Sequence, residues 1–173
     1  MTRLTDLAEA LAQDASRVDP TTMQALEEAV ARAPRVFVTG AGRSGLVAAM
    51  FANRLMHLGR PVHLVGEVTC PAIGPDDLLL AVSRSGNTAG VLAAARGSSE
   101  LGAAVACLTA VADSPLAQLA GPTLVLPAPS LAQPLGSGFE QLCFLVLEAV
   151  LADLADRLGV DEAGMAARHA NLE

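Results

Sequence analysis

The sequence has no tryptophan, no tyrosine and only four phenylalanines, so aromatic side chains make up 2% of its 173 residues. It also lacks an excess of cations: 11 Lys and Arg stand against 18 Asp and Glu, for a formal net charge of −7. Nucleic-acid binding draws on cationic surface that displaces counterions and commonly on aromatic faces for stacking. Neither is present, which excludes that class of partner. Missing too is any apolar stretch that runs for the roughly 20 residues a bilayer requires before Gly, Pro or a charge interrupts it. No membrane span is expected. The opening MTRLTDLAEALAQDA is amphipathic and has no apolar core of a secretory signal. Cys70, Cys107 and Cys143 are odd in number, far apart and without C-x-x-C spacing, which gives no zinc pattern and suits a reduced, cytoplasmic protein. Free cysteine usually packs as a small buried hydrophobe, so all three are expected to be structural, with a catalytic thiol as the alternative.

What is present is an alternation. Amphipathic segments near Leu4–Gln13 and Thr21–Arg32 precede RVFVT, a buried-strand pattern. A helical pattern over Ser44–Leu58, a strand PVHLV and a strand DLLLAVS follow. A helix over Thr88–Leu101, a strand AAVACLT, a short helix DSPLAQLA, a strand PTLVLP and a long apolar helix over Gly138–Leu158 complete the order, before a last helical piece and RHANLE. Pro115, after Asp/Ser cap candidates, marks the start of the short helix. Five β runs separated by helices predict one α/β domain over residues 1–173, a three-layer sandwich whose five-stranded parallel sheet carries helices on both faces. The strands are continuously apolar rather than alternating, as strands buried on both faces are. The irregular stretch PAPSLAQPLGSG is long enough to suggest a functional loop.

Two strand-to-helix turns look built for an anion. In TGAGRSG, Gly40, Gly42 and Gly45 spell G-x-G-x-x-G, and the glycines let backbone N–H groups approach a ligand at a helix N-terminus. Ser44 lies at that helix start and can cap or donate. Glu67, after the next strand, is where a ribose-binding acid would stand if the ligand were a dinucleotide. The second turn, SRSGNT, brings Ser83, Ser85 and Thr88 around Gly86. A dinucleotide fold has no need of it, whereas hydroxyls and amides on several sides suit a compact phosphate. Thr88 is also a helix N-cap candidate.

S-x-S-G-x-T after a strand, with G-x-S-G one strand earlier, resembles the SIS (sugar isomerase) domain family. GRSGLVAAMFANRLMHLG, GEVTCPAIGPDDLLLAVS, QPLGSGFEQ and RHANLE resemble its 6-phospho-3-hexuloisomerase members in particular, over nearly the whole chain from Val36. The chain departs from those members at Arg84, where a small residue is usual, and at Asn87, where the residue is often acidic. Arg84 is open to two roles, a phosphate contact or a solvent-facing side chain.

The resemblance implies a flavodoxin-like strand order and an isomerase that moves a ketone between C3 and C2 of a phosphorylated ketose. Such a reaction passes through an enediol and needs no cofactor and no metal. It needs a base for the carbon-bound protons and polar groups for the charge on the oxygens. By resemblance Glu140, in the first turn of the long helix, is that base. Its ordinary alternative is to stabilise the helix dipole. His169, in RHANLE, is by resemblance a proton shuttle in its own or a neighbouring subunit's site. Arg43 either stabilises enediolate charge or grips phosphate, since its planar fork suits oxyanions. Ser44, Ser83, Ser85, Gly86 and Thr88 would hold the phosphate, and Gly42 and Glu67 the sugar. His57 and His63 read as structural. The long helix is apolar on more than one face, so it and its tail (138–173), together with the N-terminal helices (1–33), are expected to serve a homodimer or homotetramer. Two other readings stay open: a non-catalytic or different-substrate SIS module that binds a sugar phosphate, and a nicotinamide-binding protein that uses only the first turn.

Overall fold

A computed structural model describes residues 2–172. Helices α1 (Arg3–Ala15) and α2 (Pro20–Arg32) lead into β1 (Val36–Gly40), α3 (Gly42–His57), β2 (Val62–Leu64) and β3 (Leu78–Val82). Then come α4 (Ala89–Glu100), β4 (Ala104–Thr109), β5 (Thr123–Val125), a single 3₁₀ turn at Pro134–Gly136, α5 (Ser137–Leu158) and α6 (Glu162–Ala166). All five strands are parallel, in the order β2-β1-β3-β4-β5. The expected sheet, its helices on both faces and its flavodoxin-like order are all present.

The continuous apolar strands are explained by what lies on each side. Val36, Val38, Leu78, Leu80, Val82, Ala106 and Leu108 face a core shared with α2, α3 and α5, in which Phe51, Leu55, Leu142, Val150 and Leu154 are buried. Phe37, Leu79, Ala81, Val105 and Cys107 face the other way, onto Val91, Leu92 and Ala95 of α4 and onto Leu116. Successive side chains of a strand alternate between the two. The edge strands β2 and β5 are three residues each, shorter than the apolar runs PVHLV and PTLVLP. An edge strand has a ladder partner on one side only, so fewer of its residues are held extended.

One expected element is not a helix. DSPLAQLA forms a succession of turns over 112–119. Pro115 and the Ser114 cap signal are used, since Ser114 Oγ accepts from Ala117 N. The Leu116 amide, a first-turn donor with no acceptor within a helix, donates across to Gly86 O at 3.0 Å. Only one bond of α-helical spacing follows, Gln118 N to Ser114 O, before Leu119 N turns to Leu116 O.

α5 is the one helix among the described residues with the length and hydropathy to cross a membrane. Its apolar character serves the core: nine of its residues, from Gly138 to Leu154, are buried. α1 and α2 pack on α5 within the same molecule.

Candidate active site

In open parallel sheets ligands bind beyond the carboxyl ends of the strands, where the strand order reverses. Here that point lies between β1 and β3. The register pairs Gly40 with Val82, so the two glycine-containing turns leave neighbouring strands at the same level, side by side. The first is tightly wound. A methyl group at Gly40 would sit 2.9 Å from the Gly45 backbone, and one at Gly45 2.8 Å from Gly40 O, so neither position admits a side chain. Gly42 has φ +55, the left-handed region.

The second turn is anchored at several points. Ser83 N donates to Leu108 O, and Gly86 N donates back to Ser83 O. The Ser85 hydroxyl accepts from Asn87 N, and the Ser83 and Thr88 hydroxyls are 3.0 Å apart. Gly86 combines φ +58 with a close approach: a methyl group there would lie 2.1 Å from Ser114 Oγ. Beneath it, the Thr109 hydroxyl donates to Arg84 O. Thr109 and Ser114, both buried, were not legible as site residues. The available signal was a hydroxyl at the carboxyl end of β4 with a second one five residues on.

The helix caps divide into two groups. Side chains of Thr2, Asp19 and Asp161 cap α1, α2 and α6. The N-termini of α3, α4 and α5 have no side-chain cap bond, their cap positions being Ala41, Thr88 and Gly136. The expectation that Thr88 caps α4 through its side chain is therefore corrected. Its hydroxyl turns to Ser83 instead, in a part-buried polar pair that a hydroxyl facing α4 could not make. Ser44, the third residue of α3, likewise makes no cap bond and is mostly buried. The first-turn N–H groups of the helices that flank the two turns thus have no side-chain cap, and a helix N-terminus of that kind, with the positive end of its dipole, is suited to an anion.

Glu140, one turn into α5, meets Arg43 here: Arg43 Nε donates to Glu140 Oε2 at 2.6 Å. The Glu140 side chain is 13% exposed and that of Arg43 63%. One charge-assisted bond fixes the carboxylate while its second oxygen remains an acceptor, and the remaining Arg43 N–H groups face outward. Elsewhere in the structure, α1 is tied to the loop that leads to α5. Buried Asp14 accepts from Ser130 N at 2.9 Å and Ser130 Oγ at 2.6 Å, and also from Arg17. Burial acts to raise the Asp14 pKa, but these donors hold it below the ordinary carboxylate value.

The remaining expected site residues lie apart from this cluster. Glu67 is exposed and lines a cleft of about 360 Å³ with Gly42, Gly45 and Leu46, on the β2 side of the first turn, a cleft that Ser83, Ser85 and Thr88 do not line. His169 stacks on His57, ring centroids 5.2 Å apart and planes 10° from parallel. His57 ends α3 and Arg43 is its second residue, so at about 1.5 Å per residue roughly 20 Å separates His169 from the Glu140–Arg43 pair of its own chain. Glu173, which ends RHANLE, lies outside the described residues. Burial pushes the Cys107 thiol up to about 11, and burial followed by the nearby Glu140 charge pushes Cys143 up further. Neither offers a thiolate near neutral pH. Cys70, expected to be buried, is only partly so, because its segment runs over the surface beside Phe37 and Ile73. Among the described residues no group of His, Cys, Asp or Glu is arranged to hold a metal ion.

The sequence pattern of the SIS domain matches residues 29–150. A 3-hexulose-6-phosphate isomerase of Mycobacterium gastri is 44% identical over 171 residues, spanning 94% of this chain and 86% of that protein. A 3-hexulose-6-phosphate isomerase of Methylomonas aminofaciens is 40% identical over 150 residues, 82% of each chain. Among solved structures, a protein of Methanococcus jannaschii, whose crystal structure was taken to infer a molecular function of 3-hexulose-6-phosphate isomerase, is similar with a TM-score of 0.88. It is 28% identical, with the whole of both chains covered.

Proposed function

This chain belongs to the SIS domain family, and from that premise we propose that it is a 3-hexulose-6-phosphate isomerase, interconverting D-arabino-3-hexulose 6-phosphate and fructose 6-phosphate. The observation that carries the reading is the meeting of Glu140 with Arg43 beside two adjoining anion turns. It sets a carboxylate base next to a cation and a phosphate cradle, the parts an enediol reaction uses.

The phosphate is held by the Ser83–Thr88 turn and the N-terminus of α4, with Ser44 on the neighbouring turn. Glu140 takes the C2 proton, and the electron pair flows toward the C3 carbonyl to give the enediolate. The same carboxyl then returns a proton to C3, while O2 loses a proton and O3 gains one. Arg43 stabilises the negative charge that passes between the oxygens. His169 is a candidate to relay the oxygen-bound proton, and its distance from its own site makes this a neighbouring subunit's task. Support for a homo-oligomer comes from an apolar face of α3 and α5 that the chain leaves uncovered, where Leu46 is 67% and Met50 49% exposed beside Phe144. A cytoplasmic setting agrees with three cysteines that form no disulfide.

The test is turnover of D-arabino-3-hexulose 6-phosphate, with other phosphorylated ketoses as controls. Glu140→Gln is expected to lower kcat by on the order of 10² to 10⁴. It should leave the rise in Tm caused by fructose 6-phosphate largely intact. Retained turnover in that variant would remove Glu140 as the base. A wild type that binds the sugar phosphate without turning anything over would be a sensing module instead.

A further inference from the structure

Arg84 stands between the two serines of the phosphate turn, and its backbone is fixed there: Arg84 O accepts from Ala110 N at 3.0 Å and from the Thr109 hydroxyl. Its side chain is exposed but folds back along the protein surface. The guanidinium lies flat against Gly136, so closely that a methyl group on Gly136 would sit 3.0 Å from its Cζ, Nε and Nη1. Gly136 is the residue on which α5 begins, and Glu140 follows one turn later.

The backbone at that junction departs from ordinary geometry. Gly136 has φ +79, and Leu135, not a glycine, has φ +53 with its side chain 94% exposed. A left-handed leucine persists only where surrounding contacts impose it, and it gains nothing here from burial of its own side chain. Arg84 packs on the next residue, Gly136, at this same junction. The guanidinium meanwhile makes no ion pair and no hydrogen bond among the described residues, whereas Arg17, Arg32, Arg35, Arg43 and Arg157 each pair with a carboxylate. A guanidinium fork carries five N–H donors matched to phosphate oxygens, and the chain's net charge of −7 leaves a dianion dependent on such local donors.

Resting on the isomerase reading, we infer that Arg84 binds the substrate phosphate and, through its packing on Gly136, couples occupancy of the Ser83–Thr88 turn to the placement of the start of α5 and so of Glu140. Arg84 is then a binding residue for the phosphate and a positioning residue for the base.

The experiment compares the full-length wild type with Arg84→Ala and Arg84→Lys, in two readouts. In steady-state turnover of the hexulose phosphate, the alanine variant is expected to raise KM tenfold or more and also to lower kcat several-fold. The lysine variant keeps the charge but not the flat face, so KM should largely recover while kcat stays low. In hydrogen exchange, saturating inorganic phosphate or fructose 6-phosphate should slow the amides of residues 136–140 in the wild type and not in Arg84→Ala. Unchanged KM and kcat in the alanine variant, undiminished protection of 136–140 in that variant, or a lysine variant with wild-type kcat would each overturn the inference. If the wild type fails to turn over the hexulose phosphate but phosphate protects 136–140 in an Arg84-dependent way, the isomerase reading fails and the coupling stands.

Discussion

Two glycines with nearly the same backbone angle, Gly42 at φ +55 and Gly86 at φ +58, separate two reasons a site needs glycine. Nothing lies within 4 Å of a methyl group built on Gly42, so Gly42→Ala meets only the left-handed penalty of about 1 kcal/mol. At Gly86 the same methyl group collides with Ser114 Oγ and Cβ, and backbone penalty and overpacking combine to on the order of 3 kcal/mol. Chemical denaturation of the two variants should show this ordering, and equal losses would contradict the geometry. The sequence identified both glycines as turn residues through their motifs. It gave no sign of the difference, because Ser114 reaches Gly86 from another segment of the chain.

At the scale of elements, the start of α5 is where local signals were weakest and tertiary contacts matter most. Asp14 on α1 holds Ser130 through both its amide and its hydroxyl, six residues before Gly136. Removing it leaves those donors and Arg17 without their buried partner. Asp14→Ala should therefore cost about 2 kcal/mol, and Ser130→Ala, which keeps the amide bond, about 1 kcal/mol. Urea titrations test this, and an Asp14→Ala loss under about 0.5 kcal/mol, the range of an ordinary surface change, would show the tie to be incidental. Nothing in LAEALAQDASR marks Asp14 as more than a helix-surface acid. DSPLAQLA shows the converse: its Pro and cap residues read correctly as a local start, but the segment closes only one bond of α-helical spacing, Gln118 N to Ser114 O, before the chain turns toward β5.

For the molecule as a whole, the His57–His169 stack joins the end of α3 to the tail and makes stability depend on pH. His57 is buried, and burial first, then the neighbouring charges of His169 and Arg54, lower its pKa below the ordinary 6.5. Arg168, whose Nη1 donates to His57 O, is the other cation at this junction. A lowered histidine pKa means that the unfolded chain binds the proton more readily. Its contribution is thus full above about pH 6.5 and is lost as pH falls below that value. Tm should fall between pH 7.5 and 5.5, and His57→Gln should flatten that part of the profile. Asp14 and Asp77, whose pKa values are lowered mainly by hydrogen-bonding partners, contribute a separate loss nearer pH 4 and below. A wild-type Tm that is flat from pH 7.5 to 5.5 would mean that His57 is not held neutral by the fold.

By itself the sequence determined the class of sheet, the order of strands and helices along the chain except at DSPLAQLA, the two turns suited to a phosphate and the acid at the head of the long helix. Each of these is written in a short window, as a period of two or 3.6, a glycine pattern or a cluster of hydroxyls. Only the tertiary structure decided that Gly40 lies level with Val82, that Arg43 reaches Glu140 across 97 residues, that Arg84 rests on Gly136, and that His169 stands at the far end of α3 from its own site. Those facts depend on strand register and helix packing. Register and packing are set by the whole core at once, so no local stretch of the sequence carries them.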